Sequence, residues 1–278
     1  MPGRLRVTNL RDRFQSLVVS PAKRLVVADL DPADTLGWSE GDARQYLKAL
    51  QDRLGKLQSL FYADSRYALL IVLQGMDTSG KDGTIRIVLE GISPLGVQVT
   101  AFKTPVGQEL KHDFLWRIHQ AVPGRGSIGI FNRSHYEDFL YPTVFGGLKT
   151  NQLDQRLTAI NAFEDMLFND RVVTLKFFLH ISKAEQKERL KARLTDPTKQ
   201  WKFATEDLAS RKNWRRFMAA YEAMINRTSS KQSPWIVVPS DHKWFRNVVV
   251  AEAVVRHLEG LKLKFPRNGL DLKSIKIK

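Results

Sequence analysis

The chain has 278 residues, 43% of them apolar, and carries a net charge of +15 from 44 basic and 29 acidic side chains. It contains no cysteine, which excludes disulfides, thiolate metal sites and a cysteine nucleophile and fits a cytoplasmic protein. The basic excess calls for an anionic partner, no apolar run approaches the ~20 residues of a membrane span, and Arg4, Arg6, Arg11 and Arg13 are not followed by the apolar stretch of a secretory leader.

Residues 1–40 are basic, then acidic and turn-rich (Asp29, Asp31, Pro32, Asp34), and read as an arm that wraps the domain or reaches a neighbour. Gly41 to Tyr62 puts Tyr46, Leu47, Leu50, Leu54, Leu57, Leu60 and Phe61 on one helical face. The apolar run at 68–74 predicts a strand, followed by a glycine-rich turn and a helix to about Gly91. Alternating Val97, Val99 and Ala101 predict a second strand, residues 107–121 a helix, and Ser127 to Phe131 a third strand. A helix is expected from Asn151 to Phe168, then a strand from Val172 to Ile181 that is too continuously apolar to face water on either side. Ser182, with Glu185 three residues on, forms a capping-box pattern for a helix to about Leu194. A helix over Thr205 to Ile225, a strand at Trp235–Val238, a helix over 243–261 and a basic tail at 263–278 complete the chain. Strands alternating with helices predict an α/β fold: a five-stranded parallel sheet flanked by helices in three layers, with the site at the carboxyl ends of the strands.

The turn Gly75-Met-Asp77-Thr78-Ser79-Gly80-Lys81-Asp82-Gly83 contains Gly-x-x-x-x-Gly-Lys in the strand–turn–helix setting that phosphate-binding loops require. Glycines let successive N–H groups curl inward, and the next helix aims its positive end at the same place. Gly75, Thr78, Ser79, Gly80, Lys81, Gly83 and Thr84 therefore form a candidate phosphate cradle. The residue after the lysine is usually Ser or Thr, which holds Mg2+; here it is Asp82, and a second acid, Asp77, lies inside the loop. Two carboxylates beside a phosphate cradle make sense when cations come between them.

The third strand runs into Asn132-Arg133-Ser134-His135-Tyr136-Glu137-Asp138. Arg133 can clamp a phosphate with its planar fork, and Glu137 can hold Mg2+ or a substrate hydroxyl, or simply favour a helix's first turn. Ser134 and His135 as a nucleophile–base pair is disfavoured, because adjacent residues rarely point at each other. The six histidines show no metal-ligand spacing. Residues 183–216 carry eleven Lys or Arg against five Asp or Glu. This basic stretch, broken at Asp196-Pro197, has the form of a lid that closes over phosphates.

These three stretches closely resemble the polyphosphate kinase 2 family. The family's loop, Gly-x-Asp-x-x-Gly-Lys-Asp-Gly, is matched at Gly75–Gly83, both unusual acids included. Its Asn-Arg-Ser-x-Tyr-Glu motif is matched at Asn132–Glu137. Its lid motif, Asp-Pro-x-Lys-x-Trp-Lys, is matched at Asp196–Lys202, with Asp207, Arg211 and Trp214 in register. The similarity covers roughly residues 40–262 and implies a P-loop kinase-like fold and a Mg2+-dependent phosphotransferase (Mn2+ a possible substitute) using inorganic polyphosphate and nucleotides. By position, Lys81 and Arg133 would hold the transferred phosphoryl group. Asp77 would bind Mg2+ or orient the acceptor, and Asp82 and Glu137 would support the metals. Arg193, Lys199, Lys202 and Arg211 would line the polyphosphate path or close the lid. The acidic pair Glu137–Asp138 resembles members that phosphorylate AMP or ADP. A homo-oligomer, dimer or tetramer, is expected, with no specific nucleic acid and no membrane as partner. The competing readings are an ATP-dependent nucleotide or nucleoside kinase, against which Asp82 counts, and a nucleic-acid-binding protein, for which no binding module is legible.

Overall fold

The computed structural model describes residue 10, residues 13–267 and residue 269. Among these, one sheet of five parallel strands runs in the order β2-β3-β1-β4-β5, formed by β1 (Ala68–Gln74), β2 (Val97–Ala101), β3 (Ile128–Asn132), β4 (Val172–His180) and β5 (Trp235–Pro239). β1 is central, paired with β3 on one side (Val72 opposite Phe131) and β4 on the other (Val72 opposite Lys176). The chain crosses sides at β1, so the crevice at its carboxyl end is a topological switch point, where open α/β sheets bind ligands.

The pleat divides β1 between two cores. Leu69, Ile71 and Leu73 pack with α1 (Glu40–Asp64), α2 (Lys81–Val88) and α9 (Lys243–Gly260). Ala68, Leu70 and Val72 face the opposite layer: α3 (Trp116–Ala121), α4 (Glu137–Phe145), α5 (Thr150–Asn169) and α8 (Trp214–Thr228). Burial on both faces explains the unbroken apolar run, each such side chain contributing about 1.5–3 kcal/mol. The lid segment comprises α6 (Lys183–Thr195), a 3-10 turn (Gln200–Lys202) and α7 (Thr205–Lys212).

The described part of the N-terminal segment packs on its own chain. Leu10, Phe14 and Leu17 enter the core with α1 and α9. Val19 N–H donates to Trp235 O at 2.8 Å, and Asn226 clamps Leu25 by bonding both its N–H and its C=O. Arg4, Arg6 and Arg11, and residues 270–278 of the basic tail, lie outside the described residues. No helix among the described residues is long and apolar enough to cross a membrane.

Local chemistry overrides three expectations. The helix over 107–121 is broken into a 3-10 turn (Gly107–Lys111) and α3, because Asp113 folds its carboxylate onto Leu115 N–H in a local turn. The helix over Thr205–Ile225 is interrupted at Asn213, whose amide donates to Ala209 O and competes with the helical ladder. Only half of the capping box forms. Ser182 Oγ accepts from Glu185 N–H, but Ser182 N–H goes to Asp241 and the Glu185 carboxylate takes Arg189.

Candidate active site

The loop after β1 closes as its glycines require. Gly75 has φ +150°, and a Cβ there would lie 2.6 Å from Leu179 O. Gly80, at φ +103°, caps α2 with its Cα turned onto the guanidinium of Arg246, so a side chain there would collide with it. Thr78 and Arg133 also hold positive φ, +66° and +62°. Non-glycine residues adopt that region at a cost of about 1–3 kcal/mol, and such residues cluster at functional sites.

The loop and the strand end of β3 bring the expected charged groups together. Lys81 is buried at the first turn of α2, its ammonium donating to Gly75 O at 2.8 Å and Met76 O at 3.3 Å. Burial and the nearby Arg133 bring it down to about 8, against the upward pull of Asp77, Glu137 and Asp82. Arg133 donates to Asp77 at 2.6 Å. Burial acts to raise the Asp77 carboxyl, but Arg133 and Lys81 hold it below the usual range, and the Ser210 hydroxyl adds a hydrogen bond. Asn132 donates to Asp82 at 2.7 Å and Lys202 reaches the other Asp82 oxygen at 3.0 Å, lowering its pKa against partial burial. Glu137 starts α4 and is pushed up, chiefly by burial, although Arg133 and Lys81 oppose this. The Gln74 amide nitrogen donates to it at 2.9 Å while its oxygen accepts from the Ser134 hydroxyl. The Thr78 and Ser79 hydroxyls are buried in the cradle without a hydrogen-bond partner among the described residues.

Of the lid cations, Lys202 alone makes an ion pair with the loop among the described residues. Arg193 braces the lid itself, bonding Asp207 and Lys202 O. Lys199 pairs with Asp196, and Arg211 ties Lys183 O to Gln186 at the hairpin's base. Trp201 projects into solvent, 77% exposed. Ser134 and His135 do not form a pair: the serine binds Gln74, and His135 is buried with Nε2 facing Glu164 at 3.4 Å.

Two arginines that sequence reasoning missed organise the cradle from behind. Arg189 of α6 donates to the carbonyls of Thr78, Ser79, Ser240 and Asp241. Arg246 of α9 donates to Ser79 O and is lowered to about 9 by burial and then by Arg189. These bonds fix the Thr78 and Ser79 carbonyls on the side of the loop that packs against α6 and α9. Arg189 reads in sequence as the i,i+4 partner of Glu185. The only signal for Arg246 is a cation set between the apolar Trp244-Phe245 and Val248–Val250.

The comparisons with known proteins agree with this geometry. The polyphosphate kinase 2 family profile matches residues 37–266. An AMP/ADP-polyphosphate phosphotransferase of Meiothermus ruber is 46% identical over 90% of this chain and 94% of its own. An ADP-polyphosphate phosphotransferase of Rhodopseudomonas palustris is 41% identical over 80% of this chain and 81% of its own. The crystal structure of polyphosphate kinase 2 from Arthrobacter aurescens superposes with a TM-score of 0.90 at 40% identity, covering 94% of this chain and 93% of the other. With the cradle, the Asn132–Glu137 corner and the lid in one fold, and with a profile spanning most of its length, the chain belongs to the polyphosphate kinase 2 family.

Proposed function

We propose that the protein transfers phosphoryl groups reversibly between inorganic polyphosphate and AMP or ADP, giving ADP and ATP by in-line displacement. The observation that carries this reading is the pairing at the cradle. Asp77 and Asp82 are matched to Arg133 and Lys202 around Lys81, so acids and cations can exchange partners as two polyanions enter. An ordinary ATP-dependent kinase has no need of the acid at 82. The names of the Meiothermus and Rhodopseudomonas relatives support AMP and ADP as acceptors.

The roles follow from the positions. The loop N–H groups and Lys81 hold the phosphate being transferred, and Arg133 bridges it with its two-pronged guanidinium. The acceptor is already an anionic phosphate oxygen, so no strong general base is required; Ser134 and His135 are correspondingly turned into the protein. Among the described residues, no three His, Asp or Glu side chains converge as a self-sufficient metal cage. Asp77 and Asp82, whose carboxyls are both held below the usual range beside the cradle, fit Mg2+, which takes one or two carboxylates and fills its shell with water and substrate phosphates. One or two of Asp77, Asp82 and Glu137 would hold it, and when bound it would neutralise charge on the two phosphates. Lys199 and Lys202 extend the cationic track, whereas Arg193 and Arg211 brace the lid that closes over it. We place the protein in the cytoplasm as a homo-oligomer, dimer or tetramer, with no nucleic acid or membrane as partner. The free edge of the sheet at β2, with Val99 half-exposed, is available to a second copy.

The test is incubation of the full chain with polyphosphate, Mg2+ and either AMP or ADP, with no ATP present. ADP or ATP should appear, and chelation of the metal should stop it. If no higher nucleotide forms from either acceptor, the reading fails.

A further inference from the structure

β4 carries a lysine in the middle of a strand covered on both faces. Lys176 is 0% exposed, and Glu164, facing it from α5, is 5% exposed. The ammonium's three protons all find acceptors: Glu164 Oε2 at 2.6 Å, Thr228 O at 2.6 Å and Tyr136 Oη at 3.2 Å. Tyr136, itself fully buried, donates its hydroxyl to Glu164 Oε1 at 2.6 Å. Its ring meets Trp235 edge-on with centroids 4.9 Å apart, and Lys176 lies within 6 Å of both rings. Burial works to raise Glu164, but Lys176 and His135 keep it ionised at about 2.

A buried ion pair adds little to stability. Desolvation offsets the attraction, and a well-packed apolar set of the same volume commonly does as well or better. What such a set lacks is direction, and here the direction matters. Tyr136 directly precedes Glu137 and lies three residues beyond Arg133 in the same turn. That turn holds Arg133 at φ +62° and is closed by Arg133 N–H to Leu73 O and Glu137 N–H to Ser134 O. Thr228 is the last residue of α8, the helix that follows the lid.

We propose that Lys176, Glu164 and the Tyr136 hydroxyl are positioning residues that pin the Asn132–Glu137 turn, and with it Arg133 and Glu137, to the end of α8. They touch no substrate. They act by fixing the Tyr136 ring, so that the turn cannot relax Arg133 out of its left-handed conformation. The proposal rests on the phosphotransferase reading, and the experiment separates the two.

Two variants of the full chain carry the test. Tyr136→Phe removes one hydroxyl and keeps the packing. Glu164→Gln with Lys176→Met removes both charges at similar volume. Tyr136→Phe should lower kcat about tenfold, with KM for polyphosphate and ADP within about twofold and the thermal midpoint within a few degrees, which is the split expected when transition-state contacts are lost. The double variant should lower kcat further with a midpoint unchanged or raised. Amide hydrogen exchange should quicken at residues 132–138 in both variants and stay unchanged in the loop at 75–83. The exchange readout is independent of turnover, so an inactive wild type would sink the functional reading and leave this test standing. A Tyr136→Phe enzyme with kcat within twofold of wild type and unaltered exchange at 132–138 would overturn the proposal. So would an activity loss in either variant that merely tracks loss of folded protein.

Discussion

Two charge clusters lie on either side of the Asn132–Glu137 turn, and they are built alike but placed differently. At the cradle, Asp77 meets Arg133 at 2.6 Å beside Lys81, and the Arg133 side chain is partly open to solvent. In the core, Glu164 meets Lys176 at the same 2.6 Å, out of reach of any ligand. In the proposed function the first cluster stores exchangeable partners: a phosphate would take Arg133 from Asp77 and release the carboxylate. The second cannot exchange anything, because every proton of Lys176 is already taken by protein. The difference teaches that a short ion pair is a substrate site only where a competing anion can reach it.

The comparison can be broken most severely at Lys81. Lys81→Met should reduce kcat by about 10³-fold, as for loss of a principal charge stabiliser. The thermal midpoint should not fall, since burial already disfavours the charged lysine; steady-state kinetics alongside a melting curve checks both. Arg133→Lys keeps the charge and removes the fork, and should cost about 10²-fold in kcat. The lysine's single-point ammonium should hold Asp77 less firmly than the fork does, so this variant should also raise the affinity for Mg2+ measured by calorimetry. A milder break comes from pH. The ammonium of Lys81 titrates at about 8, so the competent form of the free enzyme is lost as pH rises through that value. kcat/KM for polyphosphate should fall towards tenfold per pH unit above it, and a profile flat to pH 9.5 would remove Lys81 from the ionised role. The smallest effect belongs to Lys202, whose pair with Asp82 is half in solvent. Lys202→Ala should raise KM for long polyphosphate about threefold, with little change for the nucleotide, and added salt should mimic part of that loss.

Much of this was legible because it is local. The strand, the turn and the first turn of α2 sit within some twenty consecutive residues, and glycine at 75 and 80 is needed for backbone reasons that sequence order preserves. The sheet was legible because two-sided burial writes itself as an unbroken apolar run. What was hidden depends on distant segments. Arg189 and Arg246 gain their meaning from carbonyls more than 100 residues away at Thr78 and Ser79. The strand over Val172 to Ile181 reads as continuously apolar, and the place of Lys176 within it becomes clear only when α5 supplies Glu164. The lid shows a different limit. A sum over residues 183–216 counts every cation as free, yet Asp196 and Asp207 within the same stretch engage Lys199 and Arg193. Net charge is additive along a chain; the availability of a charge is not.

The guanidinium of Arg246 against Gly80 has a consequence for the order in which the molecule assembles. Residues 75–83 are made early, but their carbonyls are bonded by Arg189 and Arg246, and Arg189 is itself anchored to the carbonyls of Ser240 and Asp241. The cradle therefore cannot reach its final shape in a growing chain until α9 has emerged and docked. A ribosome-bound chain stalled before residue 240 should have formed much of the β1–β3 pairing and still fail to retain tripolyphosphate. Release of the full chain should restore retention in the last step of folding.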